Sequence, residues 1–277
     1  MTSSSSCGIA LKSEGISYCA IARIPMVYCN VQRGGPGVGA IQPTQQDYNQ
    51  ATKASGNGGF RMMVFAPATV QEAVDMTYAA FDYAQRDRNP VLILADGVLG
   101  TIMEPVELPE HKDRKLPEKP WAACGHENKR EHNIINSLYL TPNALEDLVR
   151  ARYERYKIVE EKEQRAEEYR TEDADVIVVA YGASSRVARS AVNKAREAGK
   201  KVGLIRPITL WPFPKDAIKR AADHAKELLV VEMSMGQMVD DVRLAAECRV
   251  PVHFYGRTGG VIPTPKEILG EIDKLLK

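Results

Sequence analysis

Short, apolar, β-rich runs alternate with segments of helical periodicity, and the alternation occurs twice along the chain. In residues 1–100 the expected strands are Met26–Val31, Arg61–Phe65 and Val91–Ala95. Between the last two, Val70, Ala73, Val74, Thr77, Tyr78 and Phe81 recur at helical spacing over Thr69–Arg86. Thr69 followed by Glu72 reads as a capping box, and Asn89-Pro90 as the stop. From Asp175 the pattern returns. Strands are expected at Val176–Ala180, Lys201–Ile205, Leu228–Glu232 and Val252–Tyr255, with helices at Ser185–Ala198, Pro214–Lys226, Gln237–Ala246 and Pro265–Leu276. Alternation of this kind predicts parallel sheets covered by helices.

The two α/β blocks are separated by a change of character. From Glu104 to Pro120, Pro105, Pro109, Pro117 and Pro120 sit among charged residues, as in an extended linker or an arm on a partner's surface. A long polar helix is expected from about Pro142 to Arg170, docked through a sparse stripe of Leu145, Leu148, Val149, Tyr153, Tyr156 and Val159. At 277 residues the length favours two domains. The expected division is 1–103, a linker and bridging helix over 104–174, and 175–277.

Thirty-seven basic against 36 acidic residues leave a net charge of +1, which argues against nucleic acid or an anionic membrane as a partner. Apolar runs such as Val176–Tyr181 are strand-sized, far short of the ~20 residues of a membrane span. With no secretory pattern at the start, a cytoplasmic protein is expected. Five scattered cysteines form no CxxC pair, so this chain alone builds neither an iron–sulfur cluster nor a zinc ribbon. Cys124-Gly125-His126 with His132 reads as an ordinary polar loop rather than a metal site, and His224 and His253 as structural.

Four motifs carry candidate chemistry. Arg33-Gly34-Gly35-Pro36-Gly37-Val38-Gly39 follows the first long strand and sets a guanidinium beside bare backbone. Such an arrangement suits a carboxylate or phosphate, because arginine offers a bidentate fork and glycine admits close approach. The opening Thr2-Ser3-Ser4-Ser5-Ser6 leads into a helical pattern with Ile9, Ile16, Ala20 and Ile21, so its hydroxyls and amides could face a ligand. Tyr181-Gly182-Ala183-Ser184-Ser185 lacks the spacing of a nucleotide loop and reads as a structural turn. The methionines of Glu232-Met233-Ser234-Met235-Gly236-Gln237-Met238 are expected to pack a core or a subunit face.

Taken in order, these segments, with Leu11–Tyr18, Ile41–Tyr48 and Phe254–Gly260, resemble the α subunit of the 2-oxoacid:ferredoxin oxidoreductases. The likeness is nearest to the branched-chain (2-oxoisovalerate) and 2-oxoglutarate members. It implies a pyrimidine-type thiamine-diphosphate-binding fold followed by a transketolase C-terminal-like domain. It implies a reaction in which a 2-oxoacid, CoA and oxidised ferredoxin give acyl-CoA, carbon dioxide and reduced ferredoxin. Thiamine diphosphate would lie at a subunit interface, with magnesium and [4Fe–4S] clusters in partner subunits. The partners implied are a thiamine-diphosphate-binding β subunit, a γ subunit and a ferredoxin-like δ subunit.

By the same resemblance Arg33 holds the 2-oxoacid carboxylate, while Thr2, Ser3, Ser4, Ser5, Gly34 and Gly35 line the cofactor pocket. No metal ligand is assigned. The family commonly has proline where this chain has Cys7. Members also carry an upstream segment with a Tyr-Pro-Ile-Thr-Pro-like motif and a glutamate on the aminopyrimidine ring. Neither occurs in these 277 residues. The expectation is therefore an N-terminally truncated chain, inactive alone, with an apolar sheet edge left open. A non-catalytic assembly or scaffold protein on the same fold is the main alternative. A transketolase-type enzyme is a more distant one, with five scattered histidines to build a sugar-phosphate pocket.

Overall fold

The computed structural model describes residues 1–110 and 118–277, so Pro117 of the Pro-rich stretch lies outside the described residues. Two five-stranded sheets organise them. The first contains β1 (Thr2–Ser4), β2 (Met26–Gln32), β3 (Met63–Phe65), β4 (Pro90–Asp96) and, from far along the chain, β8 (Thr209–Trp211). Its order is β1-β2-β4-β3-β8, parallel except for β8. The second sheet contains β5 (Ala166–Tyr169), β6 (Val176–Val179), β7 (Val202–Pro207), β9 (Glu227–Glu232) and β10 (Val252–Gly256). It runs β10-β9-β6-β7-β5, parallel except for β5.

The helices cover these sheets. They are α1 (Ser6–Ile21), α2 (Tyr48–Thr52), α3 (Val70–Asp87), α4 (Pro142–Lys162), α5 (Gly182–Glu197), α6 (Lys215–Ala222), α7 (Met238–Ala246) and α8 (Pro265–Leu275). Strand β6 is Val-Ile-Val-Val with every residue buried, as a central parallel strand covered on both faces must be. Along α5, Ala188, Ala191, Val192 and Ala195 are fully buried with Val178 and Leu204 in one apolar cluster. Small side chains let the helix lie close, and each large apolar side chain buried there contributes about 1.5–3 kcal/mol. No helix among the described residues is long and apolar enough to cross a membrane.

Three expectations change. The opening serines are not only a loop, because Thr2–Ser4 pairs in parallel with Tyr28–Asn30 and makes a β1-α1-β2 unit ahead of the strand expected to be first. The sheet edge on that side is therefore three polar residues rather than an apolar strand. The bridging helix ends at Lys162, not Arg170, and Ala166–Tyr169 is a strand. Its glutamates are not a solvated helical face: Glu167 pairs with Arg189 and Arg206, and Glu168 with Arg220. Tertiary pairing overrides the helix propensity of Ala-Glu-Glu-Tyr there. Thirdly, β8 leaves the second block to pair with β3. Each sheet is thus edged by an antiparallel strand, β8 on the first and β5 on the second.

The Thr69 cap forms, with its hydroxyl accepting from Glu72 N at 3.1 Å. The Glu72 carboxylate accepts from Ala68 N one residue earlier than a capping box requires, and is also held bidentate by Arg206 at 2.9 and 2.7 Å. At the start of α8 the full box between Thr264 and Glu267 is present, with Pro265 in the first turn.

Candidate functional site

The carboxyl ends of β2, β4, β6, β9 and β10 bring together most of the motifs singled out in the sequence. Open α/β sheets characteristically bind ligands at this end. Residue alternation along β2 aims Tyr28, Asn30 and Gln32 to one face, so an otherwise apolar strand finishes with two buried polar side chains. Asn30 Oδ1 accepts from Ser6 N at 2.8 Å, and Asn30 Nδ2 donates to Asp47 at 3.0 Å. Ser6 Oγ also donates to Asp47, at 2.6 Å, while Gln32 Oε1 accepts from Asp47 N at 3.1 Å. This network fixes the start of α1 and residues 44–48 against the strand that delivers Arg33.

Arg33 is half-buried and tightly positioned. Its backbone N donates to Ser6 Oγ at 3.0 Å and its Nε to Ser5 Oγ at 2.9 Å. Nη1 donates to the carbonyls of Val38 and Ala40, and Nη2 to Cys7 Sγ. None of these acceptors is a carboxylate. Among the described residues no carboxylate forms an ion pair with Arg33. A preorganised guanidinium with no counter-charge is what an incoming carboxylate needs.

The turn around Arg33 closes on itself. Gly34 N donates to Gln42 O at 2.9 Å, Gly34 O accepts from Ala40 N at 2.8 Å, and Gly35 N donates to Gln46 Oε1 at 3.1 Å. Gly39 has φ +55°, and a Cβ there would lie 1.9 Å from Gly34 O, so the closure requires glycine at that position. By contrast, a Cβ on Gly34 would meet only ordinary contacts, and one on Gly35 little but Gly37 N at 3.9 Å. Gly34 is thus buried against Ala40 and Thr44, and the openness lies beside Gly35, where the chain's own packing does not demand it.

Of the opening hydroxyls, Ser5 meets the Arg33 guanidinium and Ser6 its backbone. Thr2 Oγ1 and Ser3 O are bonded by Lys12 Nζ at 2.7 and 3.1 Å, and Ser4 packs beside Gly8. Since Thr2 pairs with Tyr28, five residues before Arg33, it lies roughly 16 Å down the sheet from the Arg33 level. The structure therefore groups Arg33, Gly34, Gly35 and Ser5, and sets Thr2 and Ser3 apart.

Sequence reasoning passed over a second, buried layer beneath this turn. Gln45 is fully buried, with Nε2 donating to Tyr181 O at 2.8 Å and Oε1 accepting from Ser184 Oγ at 2.8 Å and Met233 N at 3.1 Å. Asp96, 1 % exposed, accepts from Ala183 N at 2.8 Å and Leu99 N at 3.2 Å. Its burial raises the carboxyl above the ordinary range, with the backbone donors opposing that rise. Glu232, also buried, receives Ser234 Oγ and the amides of Gln237, Met238 and Val239 at the start of α7, and burial again raises it. The signal available in sequence was the pair Asn30 and Gln32 at period two in an apolar strand, which calls for polar partners nearby.

The remaining motifs meet the Arg33 turn from the second sheet. Gln237 donates to Gln46 O at 2.6 Å, Gln46 donates to Thr258 Oγ1 at 2.6 Å, and Gly260 abuts Gln42 so closely that a Cβ would lie 2.1 Å away. Met233 and Met238 are buried, whereas Met235 is 74 % exposed. His224 bonds the carbonyls of Arg220 and Thr171, and His253 bonds Glu227. His126 and His132 stack on each other, and among the described residues no group of three metal-ligating side chains forms.

Residues 1–176 match the model of the pyruvate flavodoxin/ferredoxin oxidoreductase thiamine-diphosphate-binding family, and residues 174–268 that of pyruvate:ferredoxin oxidoreductase core domain II. The chain belongs to the 2-oxoacid:ferredoxin oxidoreductases, as a subunit. Among its relatives, ketoisovalerate oxidoreductase subunit VorB of Methanothermobacter thermautotrophicus is 47 % identical over 98 % of this chain and 77 % of its own length. The 2-oxoglutarate synthase subunit KorA of Methanothermobacter marburgensis is 33 % identical over 98 % of this chain and 79 % of its own length. A solved 2-oxoglutarate:ferredoxin oxidoreductase from Magnetococcus marinus superposes on the whole chain with a TM-score of 0.82 at 23 % identity. The chain spans about half, 53 %, of that neighbour, which shows the shared fold.

Proposed function

We propose that the chain supplies the substrate-carboxylate wall of a thiamine-dependent 2-oxoacid:ferredoxin oxidoreductase, with Arg33 as the group that holds the carboxylate. The observation that carries this reading is the Arg33 guanidinium itself, fixed by four acceptors of which none is a carboxylate, and paired with no acid among the described residues. The substrate class follows from relatives that act on ketoisovalerate and 2-oxoglutarate, with the nearer relative favouring a branched-chain 2-oxoacid.

The donor set fits one wall of a thiamine diphosphate site. Hydroxyls, an uncompensated cation and side-chain-free backbone at Gly35 share one open surface at the carboxyl ends of the strands. Bound there, the cofactor would supply the electron sink for decarboxylation. Arg33 would hold the carboxylate by its charge and by the one Nη2 N–H outside those four hydrogen bonds, and would stabilise developing negative charge near it. Ser5 would keep the guanidinium aimed, Gly35 beside Gly34 would leave room for approach, and Thr2, Ser3 and Ser4 would extend the wall along the edge strand. An open wall implies a facing subunit, so we assign the cofactor to an interface. The β, γ and ferredoxin-like δ subunits, magnesium and [4Fe–4S] clusters complete the assembly in this reading, which takes CoA as the acyl acceptor. Residues 1–103 then form the pyrimidine-type domain, 104–174 the linker and bridging helix, and 175–277 the docking domain.

The test is Arg33→Lys and Arg33→Gln in the assembled complex, read as KM and kcat for 2-oxoisovalerate. Losing a charge-assisted hydrogen bond should cost about 1.5–3 kcal/mol, so kcat/KM falls roughly 10- to 150-fold in the glutamine variant, mainly through KM. Lysine should recover only part of it. Unchanged kinetics in both variants would remove Arg33 from the site.

A further inference from the structure

The end of the first sheet opposite Arg33 carries a second concentration of positive charge. Just before the strands β2 and β4 begin, and under the middle of α4, lies a cavity of about 60 Å³. That is several times the space one water needs, and enough for a small oxyanion. Four arginines, Arg23, Arg88, Arg152 and Arg155, are among its lining residues with a single carboxylate, Asp87, on a surface that is otherwise largely apolar. Asp87 is already engaged by Arg155 and by Arg86. Among the described residues Arg23, Arg88 and Arg152 pair with no acid.

We propose that this cavity binds a tetrahedral oxyanion: inorganic phosphate, or the terminal phosphoryl group of a larger molecule. Arg88 donates Nε to Arg23 O and stacks 4.1 Å over Trp121, which leaves its terminal nitrogens free among the described hydrogen bonds. Arg152 gives one Nη to Ala20 O. Tyr156, 5 % exposed, lines the same cavity, and its buried hydroxyl lies beside the Arg61 backbone and the Arg152 guanidinium without a hydrogen bond of ordinary geometry. A buried hydroxyl and three unpaired guanidiniums around one hole form a donor set for an anion with several acceptor oxygens.

Helix ends do not account for the charge. α1 and α3 finish here, and each C-terminus offers about half a negative charge, which falls well short of three unpaired cations. Burial first, and then the nearby charge of Arg23, hold the Arg88 guanidinium below its ordinary range.

The experiment uses the full chain and inorganic phosphate as probe, reading the unfolding midpoint and phosphate affinity by calorimetry against chloride of equal ionic strength. Phosphate should raise the midpoint where chloride does not. Arg23→Gln, at an exposed position that should not disturb folding, should weaken phosphate about tenfold, and Tyr156→Phe by less. Adding ATP separates the two sources. Competition with phosphate means that a terminal phosphoryl group enters the cavity, and its absence means that the free oxyanion is the ligand. No phosphate effect beyond chloride, or equal affinity in Arg23→Gln, would overturn the proposal.

Discussion

Two glycine-containing turns, each following a parallel strand, look alike in sequence and differ in what they do. Residues 33–39 leave β2 and reach the surface, with Pro36 to Ala40 exposed and a guanidinium held by acceptors of which none is a carboxylate. Residues 181–185 leave β6 and are buried, and their amides, carbonyl and hydroxyl are taken by Gln45 and Asp96 of the other block. The first turn presents a charge, and the second joins two sheets. What separates them is the polar partner facing each turn, which local composition does not encode.

That contrast can be broken most severely at the joint. Gln45→Leu would orphan Ser184 Oγ and Met233 N at once and leave Tyr181 O with Ser185 N at 3.4 Å, at about 1–3 kcal/mol for each group left unsatisfied. We expect a loss of about 4 kcal/mol by denaturant unfolding, with Arg33→Gln nearly silent in the same measurement. A loss below about 1 kcal/mol would mean that the sheets are held together elsewhere.

Paired glycine substitutions sharpen the distinction. Gly182→Ala places a Cβ 2.7 Å from Asp96 Oδ2 at φ +54°, and Gly39→Ala places one 1.9 Å from Gly34 O at φ +55°. Each should cost about 2–3 kcal/mol locally. Only Gly182→Ala should lower the global unfolding midpoint by that amount, because the Gly39 turn can open without exposing core. Gly39→Ala should instead raise KM for the 2-oxoacid. Equal loss of midpoint in both variants would show that the Arg33 turn is also part of the cooperative core.

Acidity gives a smaller, signed test. Asp96 and Glu232 both have raised folded-state pKa values through burial. The folded chain therefore binds more protons than the unfolded chain between the ordinary carboxylate range and the raised values. Across that window these two groups make stability fall as pH rises. Above it, ionised Asp96 and Glu232 weaken the joint relative to their protonated forms. Asp96→Asn combined with Glu232→Gln should flatten this part of the profile of midpoint against pH, and an unchanged slope would assign it to other groups.

Most of the two sheets was legible because apolar runs such as Val176–Val179 and Leu228–Val231 have one strand-sized reading between turn signals. Thr2–Ser4 was not, since three polar residues carry no periodicity and pair only because β2 offers an open edge. Ala166–Tyr169 was hidden by its helical composition, and becomes a strand through Arg189, Arg206 and Arg220, whose positions only the fold supplies. Arg33 stood out because a cation in a glycine turn is chemically legible by itself. Gln45 and Asp96 did not, because their meaning is the distance to Tyr181 and Ala183, more than eighty residues on.

The finest test separates packing from ligand at a single glycine. A Cβ on Gly35 meets no atom closer than Gly37 N at 3.9 Å, so Gly35→Ala should change stability by less than about 0.5 kcal/mol. If the open face of Gly35 receives cofactor or substrate, the same methyl group takes up space that the ligand needs. Activity of the assembled complex should then fall several-fold while the unfolding midpoint stays in place. Full activity with an unchanged midpoint would move the ligand away from this glycine and leave Arg33 facing a different part of the surface. Lost stability would instead mean that this turn, like the one at Tyr181, is packed against something the chain itself provides.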